Sequence, residues 1–365
     1  MGIAAVFGAD THLSEAVWTS RAQIRGDSFF GFTQLVDLAV EHKCPLVIAG
    51  DCWELMHQAR PSSVTVEFVR GQLDRLELDS LPFYYVNGQH DQLAAPFWFK
   101  AIHSWPTHVG QSRFELAGQR WFGVDYFEDA DAAAQLALIP PDVDGVVLHK
   151  PWEEFVDSKF LAPTSLATVP YGRVLVSGDM HRTIIDDTGS RLYISPGATH
   201  MRTIAEPVVH HAVLMDRQGK FVTHQLRSRP VLSHSVLSAT ALYQEMEGLR
   251  ARVEAATRTA AQAAIPIEVA RPVLIVEDHV GCDAVAVIEQ TITGAHVLAR
   301  RVSRTNAIDD AQAVEILNDQ VDVRELFYKL AVERAPDDMV RAVALRALIS
   351  DQDVVAATLG KLQAS

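Results

Sequence analysis

Five short polar stretches in the first half of the chain carry residue types that bind divalent cations: Asp10-Thr11-His12, Gly50-Asp51, Gly88-Gln89-His90-Asp91, Leu148-His149 and Gly178-Asp179-Met180-His181. All but one follow an apolar, β-branched run that reads as a strand, so their side chains are expected at the carboxyl ends of strands, where open α/β sheets place their sites. Phosphoester hydrolysis at two metal ions needs a carboxylate that bridges the ions, nitrogen and oxygen ligands that fix each one, and an open position for the attacking water. Asp51, at a strand end and followed by Cys52-Trp53-Glu54, suits the bridge between ions expected about 3.5–4 Å apart. Asp10 and His12 are two residues apart, which in an extended segment puts both on one face and within reach of one ion. Gly88 permits a sharp turn into Gln89, whose carbonyl oxygen can join the second ion, and into His90. Held by Asp91, His90 is expected to protonate the leaving alkoxide as a general acid. His149 and the i, i+2 pair Asp179 and His181 complete the set. A single Gly-Asp or Asp-x-His is a common turn, whereas five such stretches in strand-end order point to one site.

The elements that must position these residues follow a repeated strand–helix pattern. Residues 3–7 read as a strand, 28–42 as an amphipathic helix with Phe29, Phe32, Leu35, Val36 and Ala39 on one side, and 45–49 as the next strand. A helix over 62–76 and a strand over 83–86 repeat the unit. After a more irregular region, 143–148, 173–176, 192–195 and 208–215 are further strand candidates. The composition changes near Leu226: residues 233–264, rich in Ala, Leu, Glu and Arg and ending before Pro266, read as one long helix. A strand (272–277), a helix (284–291) and a strand (295–302) then form a small α+β unit without catalytic-looking residues. The tail reads as three short helices, 311–317, 323–334 and 339–349. The expected division is 1–228 for a catalytic domain, 229–304 for a cap with its linking helix, and 305–365 for a helical segment.

Composition bounds the function. The 365 residues, 48% hydrophobic and 21% charged, are ordinary for a globular protein able to bury a substantial core. Cys44, Cys52 and Cys282 are too few and scattered for a disulfide framework or zinc ribbon, which fits structural thiols in a reducing, cytoplasmic compartment. The start, Met1 to Phe7, lacks a basic region and reads as a strand rather than a signal peptide, and no apolar stretch of about 18 residues is present to span a membrane. A net charge of −14 argues against a generic nucleic-acid coat, although two cations among the carboxylates would reverse the local field.

In their order, these motifs resemble the calcineurin-like metallophosphoesterase superfamily, whose pattern is Asp-x-His, Gly-Asp, Gly-Asn-His-Asp/Glu, His and Gly-His-x-His. Within it the chain looks most like the Mre11/SbcD nucleases that work with Rad50/SbcC ATPases, and the pairing of Gly88-Gln89-His90-Asp91 with Gly178-Asp179-Met180-His181 and Ser195-Pro196-Gly197-Ala198-Thr199-His200 looks like their phage-encoded branch. The match spans about residues 3–225. It implies an α/β fold, a four-layer α/β/β/α metallophosphoesterase sandwich with a small α+β cap and a helical C-terminal tail. It also implies that Asp10, His12, Asp51 and His181 surround a first ion and Asp51, Gln89, His149 and Asp179 a second, with His90 as the catalytic histidine beside Asp91. Gln89 stands where Asn is usual and Asp179 where His is usual. Both offer oxygen, which favours Mn²⁺, with Mg²⁺ next, over softer ions.

The function so implied is that of a DNA exo/endonuclease subunit whose partners are DNA, a Rad50/SbcC-like SMC-family ATPase docked on the tail, and a second copy of the chain, in the cytoplasm of a bacterium or phage-infected host. His200, just after the Pro196-Gly197 turn, and Arg202 are expected to contact substrate. Arg227, Arg229, Arg300, Arg301 and Arg304 are further candidates for backbone phosphates. Among the other histidines, His103, His108, His210, His211 and His224 lie outside this order and are expected at the surface or in the core. A phosphoesterase for nucleotides or cyclic phosphodiesters is the enzyme alternative, and a degenerate DNA- or ATPase-binding scaffold the non-enzyme one. The chain lacks a Gly-x-x-x-x-Gly-Lys-Ser/Thr loop, a Gly-x-Ser-x-Gly elbow and a His-Glu-x-x-His helix.

Overall fold

The computed structural model describes residues 2–18, 21–55, 60–91, 98–156, 164–187, 189–279 and 284–301. The tail helices expected over 311–349, together with Cys282 and Arg304, lie outside the described residues. The described chain runs β1 (Ile3–Gly8), α1 (Asp27–His42), β2 (Leu46–Ala49), α2 (Ser63–Leu78), β3 (Phe83–Val86), α3 (Trp98–Ile102), β4 (Thr107–His108), β5 (Arg113–Leu116), β6 (Gln119–Val124), α4 (Ala132–Leu136), β7 (Gly145–His149) and β8 (Val174–Gly178). It continues through β9 (Ile184–Asp186), β10 (Leu192–Ser195), β11 (His210–Asp216), β12 (Phe221–Leu226), β13 (Val231–Val236), α5 (Ala239–Gln262), α6 (Ile267–Ala270), β14 (Val273–Asp278), α7 (Ala284–Thr291) and β15 (His296–Arg301).

Two six-stranded mixed sheets face each other, one ordered β12-β11-β1-β2-β3-β4 and the other β5-β6-β7-β8-β10-β9. Strands β1 to β4 run parallel, as do β6, β7, β8 and β10, while β11 pairs antiparallel with β1 and β12, β5 with β6, and β9 with β10. The two-residue period of a strand sorts side chains into layers. Phe7, Val47 and Ala49 meet Trp121, Val147, Val176 and Ile194 between the sheets. The alternate residues Val6, Leu46 and Ile48 pack beneath α1 through Phe32, Leu35 and Val36, while Val146, Leu148 and Leu175 cover the other outer face with Leu136 and Trp152. The result is the α/β sandwich expected from the sequence, with the central strands β2, β7 and β8 buried on both faces. Helix α2 begins at an N-cap, Ser62, whose side chain accepts from the Thr65 N–H.

Two elements differ from the sequence expectation. The segment 233–264 is not one helix, because Val231–Val236 forms β13, parallel to β14 from Val231↔Val273 to Val236↔Asp278, and α5 begins only at Ala239. Val231, Leu232, Ser233, His234, Ser235 and Val236 carry β-branched and polar residues with strand periodicity, a short signal swamped by the helix-rich composition that follows. The irregular region holds the β5–β6 hairpin, closed by Ala117 (φ 51) and Gly118 (φ 77), the left-handed pair that a tight hairpin requires.

Met1–Val302 is one compact unit that includes the three-stranded sheet β13-β14-β15. One face of that sheet has its own core, where Val236, Leu274 and Val276 meet Leu242, Leu249 and Ile288. On its other face Val273, Ile275 and Leu298 pack against Trp18, Ile24, Met201 and Ile204 of the sandwich. Arg229 secures this junction: Nε and Nη2 each lie 2.8 Å from an oxygen of Asp27, and the guanidinium also donates to the carbonyls of Arg271 (2.7 Å) and Arg25 (2.9 Å). Burial pushes the Asp27 carboxyl up even against the guanidinium beside it. Arg229 is therefore an internal residue, not the phosphate contact expected from the sequence. Cys44 and Cys52 are buried free thiols, and burial raises that of Cys44 to about 11, as suits inert structural residues. Among the described residues no helix is long and apolar enough to cross a membrane.

Because removal of one partner strands a buried charge, Arg229→Met is expected to lower stability by about 3–5 kcal/mol, read as a lower denaturant midpoint. Asp27→Leu combined with Arg229→Met should regain most of that loss. Equal losses in the single and double variants would show that the bonds to Arg25 and Arg271 dominate instead.

Candidate metal centre

The expected ligand stretches leave the carboxyl ends of five parallel strands, β1, β2 and β3 in one sheet and β7 and β8 in the other, so both sheets deliver side chains to one end of the sandwich. The backbone at this end is unusual. Asp10 (φ 50), His12 (φ 38), Asp51 (φ 48), Asp179 (φ 80) and His181 (φ 50) all adopt left-handed conformations, which cost non-glycine residues on the order of 1–3 kcal/mol each. The expectation that Asp10 and His12 meet through an extended segment is thereby corrected: two left-handed residues converge them instead. Backbone bonds hold this geometry, from Asp10 N–H to Gly50 O (3.1 Å) and from His12 N–H to Asp51 O (2.9 Å). Glycine is required where loops approach the ligands. A Cβ on Gly88 would lie 2.0 Å from Asp51 Oδ1, and one on Gly50 (φ 83) 2.3 Å from His149 Nδ1.

All seven expected ligand residues come together. The donor atoms of Asp10, His12 and His181 lie within 4.8 Å of one another, as do those of His12, Asp51 and His90 and those of Asp10, Asp51 and His149. His149 donates from Nδ1 to Ala49 O at 2.7 Å, which leaves Nε2 facing Asp51 Oδ2 at 3.3 Å, Asp179 Oδ1 at 3.7 Å and Asp10 Oδ1 at 3.9 Å. Asp51 Oδ2 also lies 3.7 Å from His12 Nε2 and 4.0 Å from His90 Nε2, while Oδ1 accepts from the His90 N–H at 2.9 Å. His181 Nε2 is 3.6 Å from Asp10 Oδ1 and 3.3 Å from His12 Nε2. Gln89 donates from Nε2 to Asp179 Oδ1 at 2.5 Å.

These contacts fit a cation better than they fit each other. Asp51 Oδ2 and His149 Nε2 face each other at 3.3 Å and are otherwise without a hydrogen bond, and Gln89 Oε1 is buried without one, whereas a buried polar group normally has a well-aligned partner. A set of carboxylate oxygens, imidazole nitrogens and one amide oxygen suits divalent ions. The protonation equilibria reflect the crowding. Burial raises Asp10 to about 6 against the pull of His181 and His149. Asp51 is also penalised by burial, yet His149, His12 and His90 hold it below the usual range. Burial draws His149 down, but Asp51, Asp10 and Asp179 outweigh it and raise the ring well above its ordinary value. Burial and Arg202 keep His12 well below.

The surrounding layer departs from expectation. Asp91 does not hold His90; its carboxylate accepts from the N–H groups of Cys52 (3.2 Å), Trp53 (2.7 Å) and Gly88 (2.7 Å), pinning the β2 and β3 loops together. Burial and the charge of Asp51 raise it to about 7 in spite of those donors. The partner of His90 is Glu54, with Oε1 2.8 Å from Nδ1, and Oε2 of the same carboxylate lies 3.0 Å from His12 Nδ1. Although burial opposes it, the His90 ring is raised by Glu54 and Asp51. Glu54 stood in the loop after Asp51, a signal available but unused. Glu206, whose Oε1 lies 3.0 Å from His181 Nδ1, is 25 residues from its partner, and no motif marks it.

Of the two expected substrate contacts, Arg202 reaches the site, its Nη1 lying 2.6 Å from His12 Nε2 and its Nη2 3.5 Å from Glu54 Oε2. His200 is only 2% exposed, lies 3.1 Å from the Thr199 hydroxyl, and lines a small cavity with Trp18, Phe30 and His210, so burial removes it from substrate contact.

No family model matches the chain, and no curated protein matches it in sequence. Among solved structures, the chain is similar to an archaeal phosphodiesterase at 11% identity over 61% of this chain and 99% of that one, with a TM-score of 0.35. It is similar also to YfcE, a phosphoesterase from E. coli (14% identity, 60% and 97% of the two chains, TM-score 0.33), and to the phosphopantetheinyl hydrolase of Mycobacterium tuberculosis (13%, 55% and 92%, TM-score 0.33).

Since a methyl group at residue 88 would meet both Oδ1 (2.0 Å) and the backbone nitrogen (2.5 Å) of Asp51, Gly88→Ala is expected to shift the loop that carries this ligand and to weaken Mn²⁺ binding by about 10–100-fold, the range for disturbing a ligand's support. Calorimetric titration with circular dichroism checks this, and wild-type affinity in the variant would contradict the assignment of Asp51.

Proposed function

We propose that this chain is a metal-dependent phosphodiester hydrolase acting at two cations, one held by Asp10, His12, Asp51 and His181 and the other by Asp51, Gln89, His149 and Asp179. The observation that carries the proposal is Asp51 Oδ2, a wholly buried carboxylate oxygen placed between imidazoles that belong to both groups, 3.7 Å from His12 Nε2 and 3.3 Å from His149 Nε2. Two divalent ions there would supply activation of water and neutralisation of charge on the phosphoryl oxygens. Gln89 and Asp179 make the second set rich in oxygen, which favours Mn²⁺ or Mg²⁺. With Nδ1 turned to Glu54, His90 presents Nε2 to the site, the position required to protonate a leaving oxygen. Arg202 is placed to bind a phosphoryl oxygen.

A small phosphodiester is the substrate class this geometry supports best. Arg229 is spent inside the fold, the Arg227 guanidinium donates to Gln34 Oε1 and to Ala263 O, and Arg300 pairs with Glu277 at 3.2 Å, so these arginines make no open phosphate track, and the net charge is −14. The second reading, a DNA nuclease subunit of the Mre11/SbcD kind that docks a Rad50/SbcC-like ATPase through 305–365 and pairs with a second copy, draws on the extra three-stranded sheet, which a small substrate does not need.

Purified chain with Mn²⁺ is expected to cleave bis-p-nitrophenyl phosphate, and cleavage of end-labelled duplex DNA separates the two substrate classes. His90→Ala should lower turnover by roughly 10²–10⁴-fold while both ions remain bound. Loss of an ion in that variant would make His90 a ligand, and absence of any phosphodiesterase activity with Mn²⁺ or Mg²⁺ would refute the proposal.

A further inference from the structure

One carboxylate outside the ligand set is engaged on both oxygens. Glu206 Oε1 accepts from His181 Nδ1 at 3.0 Å, and Oε2 accepts from the backbone N–H groups of Arg202 at 2.5 Å and Thr203 at 3.3 Å. Its side chain is 14% exposed, and its own N–H closes a turn onto Thr203 O at 3.2 Å. The segment that carries it is seated firmly: Met201 and Ile204 are buried against Val273, Ile275 and Leu298 of the third sheet, and the Ile204 carbonyl accepts from the Arg300 guanidinium.

We propose that Glu206 is a positioning residue for two parts of the centre at once, fixing the His181 ring with one oxygen and, with the other, the backbone from which Arg202 reaches into the site. This rests on the metal-centre reading above. Because Nδ1 of His181 is given to Glu206, Nε2 is the nitrogen left to face Asp10 and His12, and a carboxylate behind a ligating imidazole sets its tautomer and orientation. The chemistry demands a carboxylate. Three donors from two directions need an acceptor on each oxygen, so an amide would turn an N–H toward either the ring or the backbone, and aspartate is one methylene short of spanning both. Arg202 begins at the residue whose N–H Glu206 holds, and its Nη1 lies 2.6 Å from His12 Nε2. The same carboxylate thereby places a ligand of the first ion and the cation expected to meet the substrate phosphoryl group.

The full-length chain tests this by Mn²⁺ calorimetry and by kinetics on bis-p-nitrophenyl phosphate. Glu206→Gln is expected to weaken one of the two Mn²⁺ sites by about 10–100-fold, to leave the other within about twofold, and to keep KM raised at saturating Mn²⁺ because Arg202 is displaced. Glu206→Asp should fall between wild type and Glu206→Gln, and it is read in the same way where the amide variant does not fold. In the background of His181→Ala, Glu206→Gln should weaken Mn²⁺ binding no further, since its effect on the ion passes through that ring. A lowered Tm with unchanged Mn²⁺ affinity and KM, or losses that add in full to those of His181→Ala, would overturn the proposal and leave the metal centre standing. A wild-type chain that binds no Mn²⁺ would overturn the metal-centre reading itself and this proposal with it.

Discussion

Two carboxylates, Asp10 and Asp51, are wholly buried where β1 and β2 end, and the rest of the centre is arranged around that constraint. An ionised carboxylate out of water costs several kcal/mol unless positive charge or donors surround it. His149 approaches from the end of β7 and His12, His181 and His90 from three separate loops, and the Asp179 N–H donates to Asp10 Oδ1 at 3.0 Å. The imidazoles offset the two anions at distances of 3.3 to 4.0 Å from Asp51 Oδ2, longer than close ion pairs. Left-handed backbone at five of these residues and the bare Cα of Gly88 against Asp51 concentrate strain and crowding at this one end of the sandwich. They persist because the central strands of the two sheets, buried on both faces, fix the ends from which the loops spring.

How much of this was legible in the sequence depends on how far apart the partners are. The strands that precede Asp10, Asp51, Gln89, His149 and Asp179 are apolar runs, and an apolar run followed by polar residues announces a strand end from local information alone. The identities of the seven clustered residues followed from that order. What joins the loops did not, because side-chain direction depends on φ. The Asp10-Thr11-His12 spacing suggested an extended segment, whereas the left-handed values at both residues turn the chain so that His12 meets Glu54 and His181. His90 was assigned to its sequence neighbour Asp91, which is instead consumed by the N–H groups of Cys52, Trp53 and Gly88. Its real partner comes from the β2 loop, and only the pairing of β2 with β3 brings that loop alongside. Glu206 and the Arg229–Asp27 pair, separated by 25 and 202 positions from the groups they hold, carry no local signature. Strand β13 was hidden by its neighbour, since six residues of strand pattern count for little beside the 24 of α5.

The third sheet acts on the centre through packing rather than chemistry. It contributes no ligand among the described residues, yet Val273, Ile275 and Leu298 support the segment around Met201 and Ile204 from which Arg202 and Glu206 project. Interiors are close-packed, so such a segment is held in one arrangement rather than a range of them. The junction is anchored by four hydrogen bonds from the Arg229 guanidinium, which hold the sheet against the segment that carries Arg202 and Glu206.

Anomalous diffraction from crystals of the full chain grown with Mn²⁺, recorded at the manganese edge, tests the central claim most directly. The account predicts two peaks about 3.5–4 Å apart flanking Asp51, one within bonding distance of Asp10, His12 and His181 and the other of Gln89, His149 and Asp179. A single peak, or two that do not share Asp51, would contradict it.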